Sequence, residues 1–274
     1  MKLYAISDLH IGHPANRVAL EQMPTFADDW LLLAGDVGES SEHLDFALQL
    51  LTRRFAQVLW TPGNHDLWSM PNGEGGLRGE AKYQQLVALC RSYGVLTPED
   101  PYAHWSGAGF EATLAPTFVL YDYSFRPDHI PANGALTWAE ASGVLCADEA
   151  LLHPDPFLSR AAWCAARCAY TEDRLASTAT GAPLILINHF PLRQDLAVLP
   201  RIPRFSLWCG TRTTESWLQR FPIAGVVYGH LHIRGTRQVE GVCHAEVSLG
   251  YPRDWDQSRG IAHYLREIRL GGDA

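Results

Sequence analysis

Five times along this chain, a short apolar run ends on side chains that ligate metals. Lys2–Ser7 leads to Asp8-Leu9-His10, and Trp30–Ala34 to Gly35-Asp36. Gln57–Trp60 passes through Thr61-Pro62 to Gly63-Asn64-His65-Asp66. Leu184–Ile187 leads to Asn188-His189, and Gly225–Tyr228 to Gly229-His230-Leu231-His232. Runs apolar on both faces are strands covered on both sides. In α/β sheets, ligands collect beyond the carboxyl ends of strands. The repeated order predicts an α/β fold with one site assembled there.

Helical spacing fills the intervals. Leu44, Ala47, Leu48 and Leu51 recur on one face, with Ser40 or Ser41 as N-cap. Leu86, Leu89 and Cys90 mark a helix ending near Gly94. Ser159 caps a helix through Trp163, Arg167 and Tyr170 toward Leu175. A further helix is expected from Thr213 or Thr214 to Gln219, and strands over Val242–Val247 and Ile261–Arg269. With 274 residues, 47% of them hydrophobic, the chain suits one domain over 1–274. Residues 67–180 form the long interval and are expected to be an insertion that partly caps the site. It contains the turn-rich run Asn72-Gly73-Glu74-Gly75-Gly76 and an expected strand around Thr117–Tyr123.

The net charge of -8 carries no basic stripe, apart from Arg53-Arg54 at an expected solvated helix end. That balance disfavours polymeric nucleic acid and stays compatible with a small phosphorylated ligand. No apolar run approaches a membrane span, and Met1–Ile6 is too short for a signal peptide. A cytoplasmic location with no membrane partner is the expectation. The six cysteines form no Cys-x-x-Cys pair and read as small buried side chains.

Each motif alone is weak. An Asp-x-His pair arises by chance, a Gly-Asp usually serves a turn, and a lone His after a strand is usually structural. Jointly they supply oxygens from Asp8, Asp36 and Asn64 and imidazoles from His10, His189, His230 and His232. That set suits two metal ions sharing one carboxylate, with Asp36 as the bridge and one histidine of the last motif for each ion. His65 follows Asn64 and is read as the group that protonates a leaving oxygen. Asp66 is read as the residue that holds the other ring nitrogen of His65 and raises its pKa.

The ordered motifs, from Asp8 to His232, resemble those of the calcineurin-like metallophosphoesterases. The resemblance implies two packed mixed β-sheets flanked by helices. It implies one ion on Asp8, His10, Asp36 and His232, and a second on Asp36, Asn64, His189 and His230. His65 would contact the phosphate or the leaving group. Mixed Asp, Asn and His donors suit Mn, Fe or Zn. Asp36 is followed by Val37-Gly38-Glu39 rather than the Val-Asp-Arg-Gly of protein phosphatases. His65 stands where lipid A precursor hydrolases carry Arg.

Stretches that run beyond these motifs are similar to the actinobacterial phosphopantetheinyl hydrolases. They include Leu120–Phe125, Asn188–Leu192, Phe205–Thr211 and Val247–Arg253. This implies a phosphodiesterase acting on a phosphopantetheinylated carrier protein. Two alternatives differ from it: a small-molecule or cyclic-nucleotide diesterase or monoesterase, and a non-catalytic interaction scaffold. Scaffolds on this fold tolerate lost His ligands, and here none is missing. His13, Tyr123, Trp208 and Tyr251 are candidates for lining a substrate groove; His13 reads equally well as a surface turn residue, and the three aromatics are more often core.

Overall fold

The computed structural model describes residues 1–70, 76–178 and 181–270. The chain begins β1 (Leu3–Ile6), α1 (Pro14–Glu21), β2 (Phe26–Leu33), α2 (Ser41–Leu51), β3 (Phe55–Trp60) and the single turn α3 (Asn64–Leu67). Next come α4 (Gly79–Ser92), β4 (Ala103–Gly107), β5 (Phe110–Pro116), α5 (Ala135–Glu140), α6 (Asp148–Leu151) and α7 (Arg160–Ser177). It closes with β6 (Leu184–Ile187), α8 (Trp217–Arg220), β7 (Ile223–Tyr228), β8 (Gly235–Val239), β9 (Val242–Glu246) and β10 (Arg266–Glu267).

Two mixed sheets result. One has the order β10-β1-β2-β3 and the other β4-β5-β6-β7-β9-β8. The five motif-bearing strands are the parallel strands β1, β2 and β3 of the first sheet and β6 and β7 of the second. Their continuous apolar runs follow from two different cores. Leu3, Ala5, Leu32, Ala34 and Leu59 pack with Ile185, Ile187, Val227 and Ala245 between the sheets. The alternate residues Ile6, Leu31, Leu33, Val58 and Trp60 join the helix-side core. Strand period two sends one set inward and the other outward, and both faces are covered.

Helix faces match their spacing. Leu44, Ala47, Leu48 and Leu51 of α2 are buried, and the Ser40 side chain accepts from the His43 N–H at 3.2 Å. Ser159 caps α7 in the same way, accepting from Ala162 N at 3.1 Å. Such a cap contributes about 1 kcal/mol. Cys164 and Cys168 lie together on the buried face of α7, and all six cysteines are free.

Three segments differ from expectation. The strand placed at Thr117–Tyr123 is instead β5, ending at Pro116. Beyond it the chain leaves the ladder: the Asn188 side chain accepts from Val119 N at 3.0 Å and donates to Phe190 O at 2.8 Å. Phe118–Tyr121 is apolar because it is a buried loop. The expected helix from Thr213 is a 3₁₀ turn, Arg212–Ser216, followed by α8. The expected strand Ile261–Arg269 shrinks to β10 after a 3₁₀ turn at Ile261–Tyr264. The edge strand β8 is mostly exposed, so its polar sequence carries no alternation.

Residues 67–180 add β4 and β5 to the second sheet and pack α4 against α2. The Asn72–Gly75 run lies outside the described residues. Among those described, no helix is long and apolar enough to cross a membrane.

His244 of β9 is buried, and neither ring nitrogen has a hydrogen-bond partner among the described residues. Burial, and then the Arg193 charge, push its pKa down to about 4 from 6.5. The unfolded chain therefore takes up this proton first. Stability falls as pH drops from 6.5 toward 4, by up to about 3 kcal/mol for this group. Urea unfolding across that window should show a shallower acid slope in His244→Phe than in the wild type. Equal slopes would refute the assignment.

Candidate metal centre

The loops after β1, β2 and β7 hold their polar side chains by an unusual backbone. Asp8, His10, Asp36, His230 and His232 all have positive φ, between 42° and 71°. Such a residue costs about 1–3 kcal/mol and persists only where its surroundings over-determine it. Here the loops are stitched together. Asp8 N donates to Gly35 O at 2.9 Å, His10 N to Asp36 O at 3.1 Å, and Gly229 N to His189 O at 2.9 Å. A bridge between Ser7 and Ser248 ties the end of β1 to the chain following β9. Close approach explains two glycines: a Cβ on Gly63 would overlap the Asp36 carboxylate, and one on Gly229 the Asp8 carboxylate.

Two clusters form. Asp8, His10 and His232 present ligand atoms within 4.8 Å of one another, and Asp36, His189 and His230 do the same. Asp36 connects them, since it also groups with His10 and His65 within 4.8 Å. Asn64 Oδ1 lies 3.1 Å from both His189 Nε2 and His230 Nδ1. Asp8 is fully buried; its Oδ2 accepts from Ser7 Oγ at 2.6 Å, Ser248 Oγ at 2.8 Å and His230 N at 3.0 Å. Its Oδ1 is left facing His232 Nε2 at 3.1 Å.

The donor chemistry fits cations. His189 Nδ1 lies 2.9 Å from the Ala34 carbonyl, which can only accept, so that nitrogen carries the proton. In the neutral ring, Nε2 then presents a lone pair to Asn64 Oδ1. His232 repeats the pattern, with Nδ1 3.0 Å from Asp254 and Nε2 3.2 Å from His10 Nε2. Lone pairs meeting lone pairs need a positive charge between them, which a metal ion supplies when bound and a second ring proton supplies otherwise. Burial, then His65, lowers His10 to about 4; burial, then His189, lowers His230 to about 3. Both therefore stay neutral and able to ligate. Burial would also lower His189 and His232, but Asp36 and Asp8 raise the first to about 10, and Asp8 with Asp254 the second to about 9. Asp8 and Asp36 are held below the usual carboxylate range; these histidines outweigh burial.

Asp254 is the outer partner of His232 and was not anticipated. A carboxylate behind a metal-binding imidazole fixes its tautomer and raises its basicity. Asp254→Ala should weaken metal binding about 10–100-fold, read by titrating loaded protein with a chelator. Unchanged affinity would remove Asp254 from the site.

His65 is placed differently from its expectation. Asp66 does not touch its ring. The Asp66 carboxylate accepts from the backbone N–H groups of Asp36 and Gly63 at 2.9 Å each and of Val37 at 3.0 Å. It is a brace for two ligand loops, and burial and then Asp36 push it up to about 7. The nearest acid to His65 Nδ1 is Glu39, at 3.5 Å. The His65 ring stacks on Trp68, with centroids 3.6 Å apart. Burial would lower His65, but Asp36, Glu39 and Asp148 together raise it. Asp66 adjoins His65 in sequence, yet the helical turn α3 points consecutive residues apart. Trp68, three residues on, was the available sequence signal.

A cleft of about 700 Å³ opens over Asp36, Asn64, His65, His230 and His232. Leu145, Leu199, Ile202, Phe205 and Ile233 give it an apolar wall, and Arg201 and Arg253 also line it. Tyr251 lines it too, stacked on His10 at 4.5 Å. His13 meets Tyr251 edge-on at 5.4 Å, in an adjoining surface depression. Tyr123 and Trp208 are not among the cleft residues; both donate to Glu149, at 2.9 and 2.8 Å.

Comparison with known proteins places the chain. Residues 1–234 match the calcineurin-like phosphoesterase family. The chain is 43% identical over 268 residues to the acyl-carrier-protein phosphodiesterase PptH of Mycobacterium tuberculosis, covering 97% of this chain and 82% of that protein. The crystal structure of phosphopantetheinyl hydrolase (PptH) from the same organism matches with a TM-score of 0.92 at 43% identity, covering 97% of this chain and 95% of that one.

Proposed function

This chain belongs to the calcineurin-like phosphoesterase family, and on that premise we propose that it is a dinuclear phosphodiesterase removing 4′-phosphopantetheine from carrier proteins. The class is a metal-dependent phosphoester hydrolase. The observation that carries the dinuclear reading is the pair of donor clusters joined at Asp36 on the floor of one cleft. Asp8, His10, Asp36 and His232 would hold one ion, and Asp36, Asn64, His189 and His230 the other. Mn, Fe and Zn all suit these donors. Bound metal ions supply a water-derived nucleophile and neutralise charge on the phosphodiester oxygens.

The chain's own groups do the rest. His65, raised above its ordinary value and stacked on Trp68, holds a proton at the cleft floor for the departing serine oxygen. Glu39 faces the far side of that ring. The apolar wall from Leu145 to Ile233 suits a long, largely aliphatic arm, while the arginines at the cleft suit its phosphate.

Mass spectrometry of a phosphopantetheinylated carrier protein after incubation tests the substrate. Loss of the arm with release of 4′-phosphopantetheine is expected. An intact arm alongside hydrolysis of a bis-aryl phosphate would reject the carrier-protein substrate and leave the diesterase class standing. Preference for a mono-aryl phosphate would make it a monoesterase. Under one metal per chain after loading would favour the scaffold.

A further inference from the structure

Asn64 has two ends, and its role as a ligand depends on which one faces the histidines. Its Oδ1 faces His189 and His230, while its Nδ2 lies 3.0 Å from Asp148 Oδ1. A carboxylate oxygen accepts and never donates when ionised, so only the amide nitrogen can sit against it. The same Asp148 oxygen accepts from Trp68 Nε1 at 2.6 Å. Trp68 is the ring on which His65 stacks. One oxygen thus faces both the proposed ligand and the support of the proposed acid.

Asp148 is completely buried, and its other oxygen has no hydrogen-bond partner among the described residues. Burying a carboxylate is costly, so a position that keeps one calls for a function. It opens α6, 84 residues from Asn64 in sequence. The turn is clamped from behind. Arg160 donates to Asp148 O at 2.6 Å and to Leu152 O at 2.7 Å, and it pairs with Glu149 at 2.9 Å. Leu145, Cys146 and Ala147, just before it, line the cleft.

We propose that Asp148 is a positioning residue: its Oδ1 orients the Asn64 amide oxygen toward the second ion and fixes Trp68 beneath His65. The proposal rests on the ligand assignment of Asn64 given above. Asp148→Leu removes the acceptor while keeping the branch at Cγ, and Asp148→Asn keeps one oxygen to accept both bonds. Chelator titration of the Mn²⁺-loaded full chain reads the ions. In Asp148→Leu one ion should leave at about 10–100-fold lower chelator while the other stays. Turnover should fall with KM nearly unchanged. Asp148→Asn should retain both ions and most of the turnover.

Both ions held normally in Asp148→Leu would overturn the proposal, as would one ion lost in Asp148→Asn. Should the leucine variant fail to fold, Asp148→Ser repeats the test with the acceptor out of reach, and the same single-ion loss is expected. Asn64→Ala separates the two readings. If it keeps both ions, the ligand assignment fails. If it loses one while Asp148→Leu loses none, only the positioning role fails.

Discussion

Asp36→Asn should lose activity by about 10³-fold or more and hold both metal ions poorly. A carboxylate between two cations contributes several kcal/mol, and each 1.36 kcal/mol of barrier is about tenfold in rate. The geometry singles out this residue. Its Oδ1 accepts the His65 N–H at 2.8 Å, and its Oδ2 faces His189 Nε2 at 3.4 Å. It shares a cluster with His10 on one side and with His189 and His230 on the other. An amide of the same shape keeps the backbone bond, so the fold should survive, but it removes the charge common to both clusters. Elemental analysis of the loaded variant and diesterase rates check this together. A variant with full metal content and wild-type turnover would end the assignment of Asp36 as the bridge.

His65→Ala should lower turnover about 10²–10⁴-fold, the usual contribution of a positioned acid, with metal content unchanged. The loss should be larger for an alkyl leaving group, which needs a proton, than for a nitrophenolate, which does not. His65 has a second possible role, because it also groups with His10 and Asp36 within 4.8 Å. Its Nε2 lies 3.9 Å from Asp36 Oδ2, and its ring is engaged by Trp68. A variant that loses an ion as well as turnover would make His65 a ligand and take the acid role away from it.

These two residues, and the other six proposed metal ligands, were legible as residue types at strand ends. Strand-end placement is a local property, written in apolar runs such as Leu184–Ile187 and in the side chain that follows. The supporting residues were not legible, because their partners are distant in sequence. Asp148 reaches Asn64 across 84 positions, and Asp254 reaches His232 across 22. Asp66 shows the same limit in reverse: adjacency to His65 suggested a contact, and the helical turn directs the carboxylate to backbone N–H groups instead. The Thr117–Tyr123 segment shows it for the fold. Its apolar run reflects burial, which a loop bonded to the Asn188 side chain provides as well as a strand does.

The sequence by itself determined the α/β alternation of elements, the donor set and its order along the chain, while the two-sheet arrangement followed from the resemblance those motifs carry. Short-range patterning specifies strands, and the donors are simply the residues at their ends. Only the tertiary structure decided what makes those donors a site. It stitched the loops so that Asp8, His10, Asp36, His230 and His232 adopt left-handed backbone. It also brought Asp148, Asp254 and Glu39 against Asn64, His232 and His65. Hydrogen bonds between loops hold such strained conformations, and those loops meet only after the two sheets have packed.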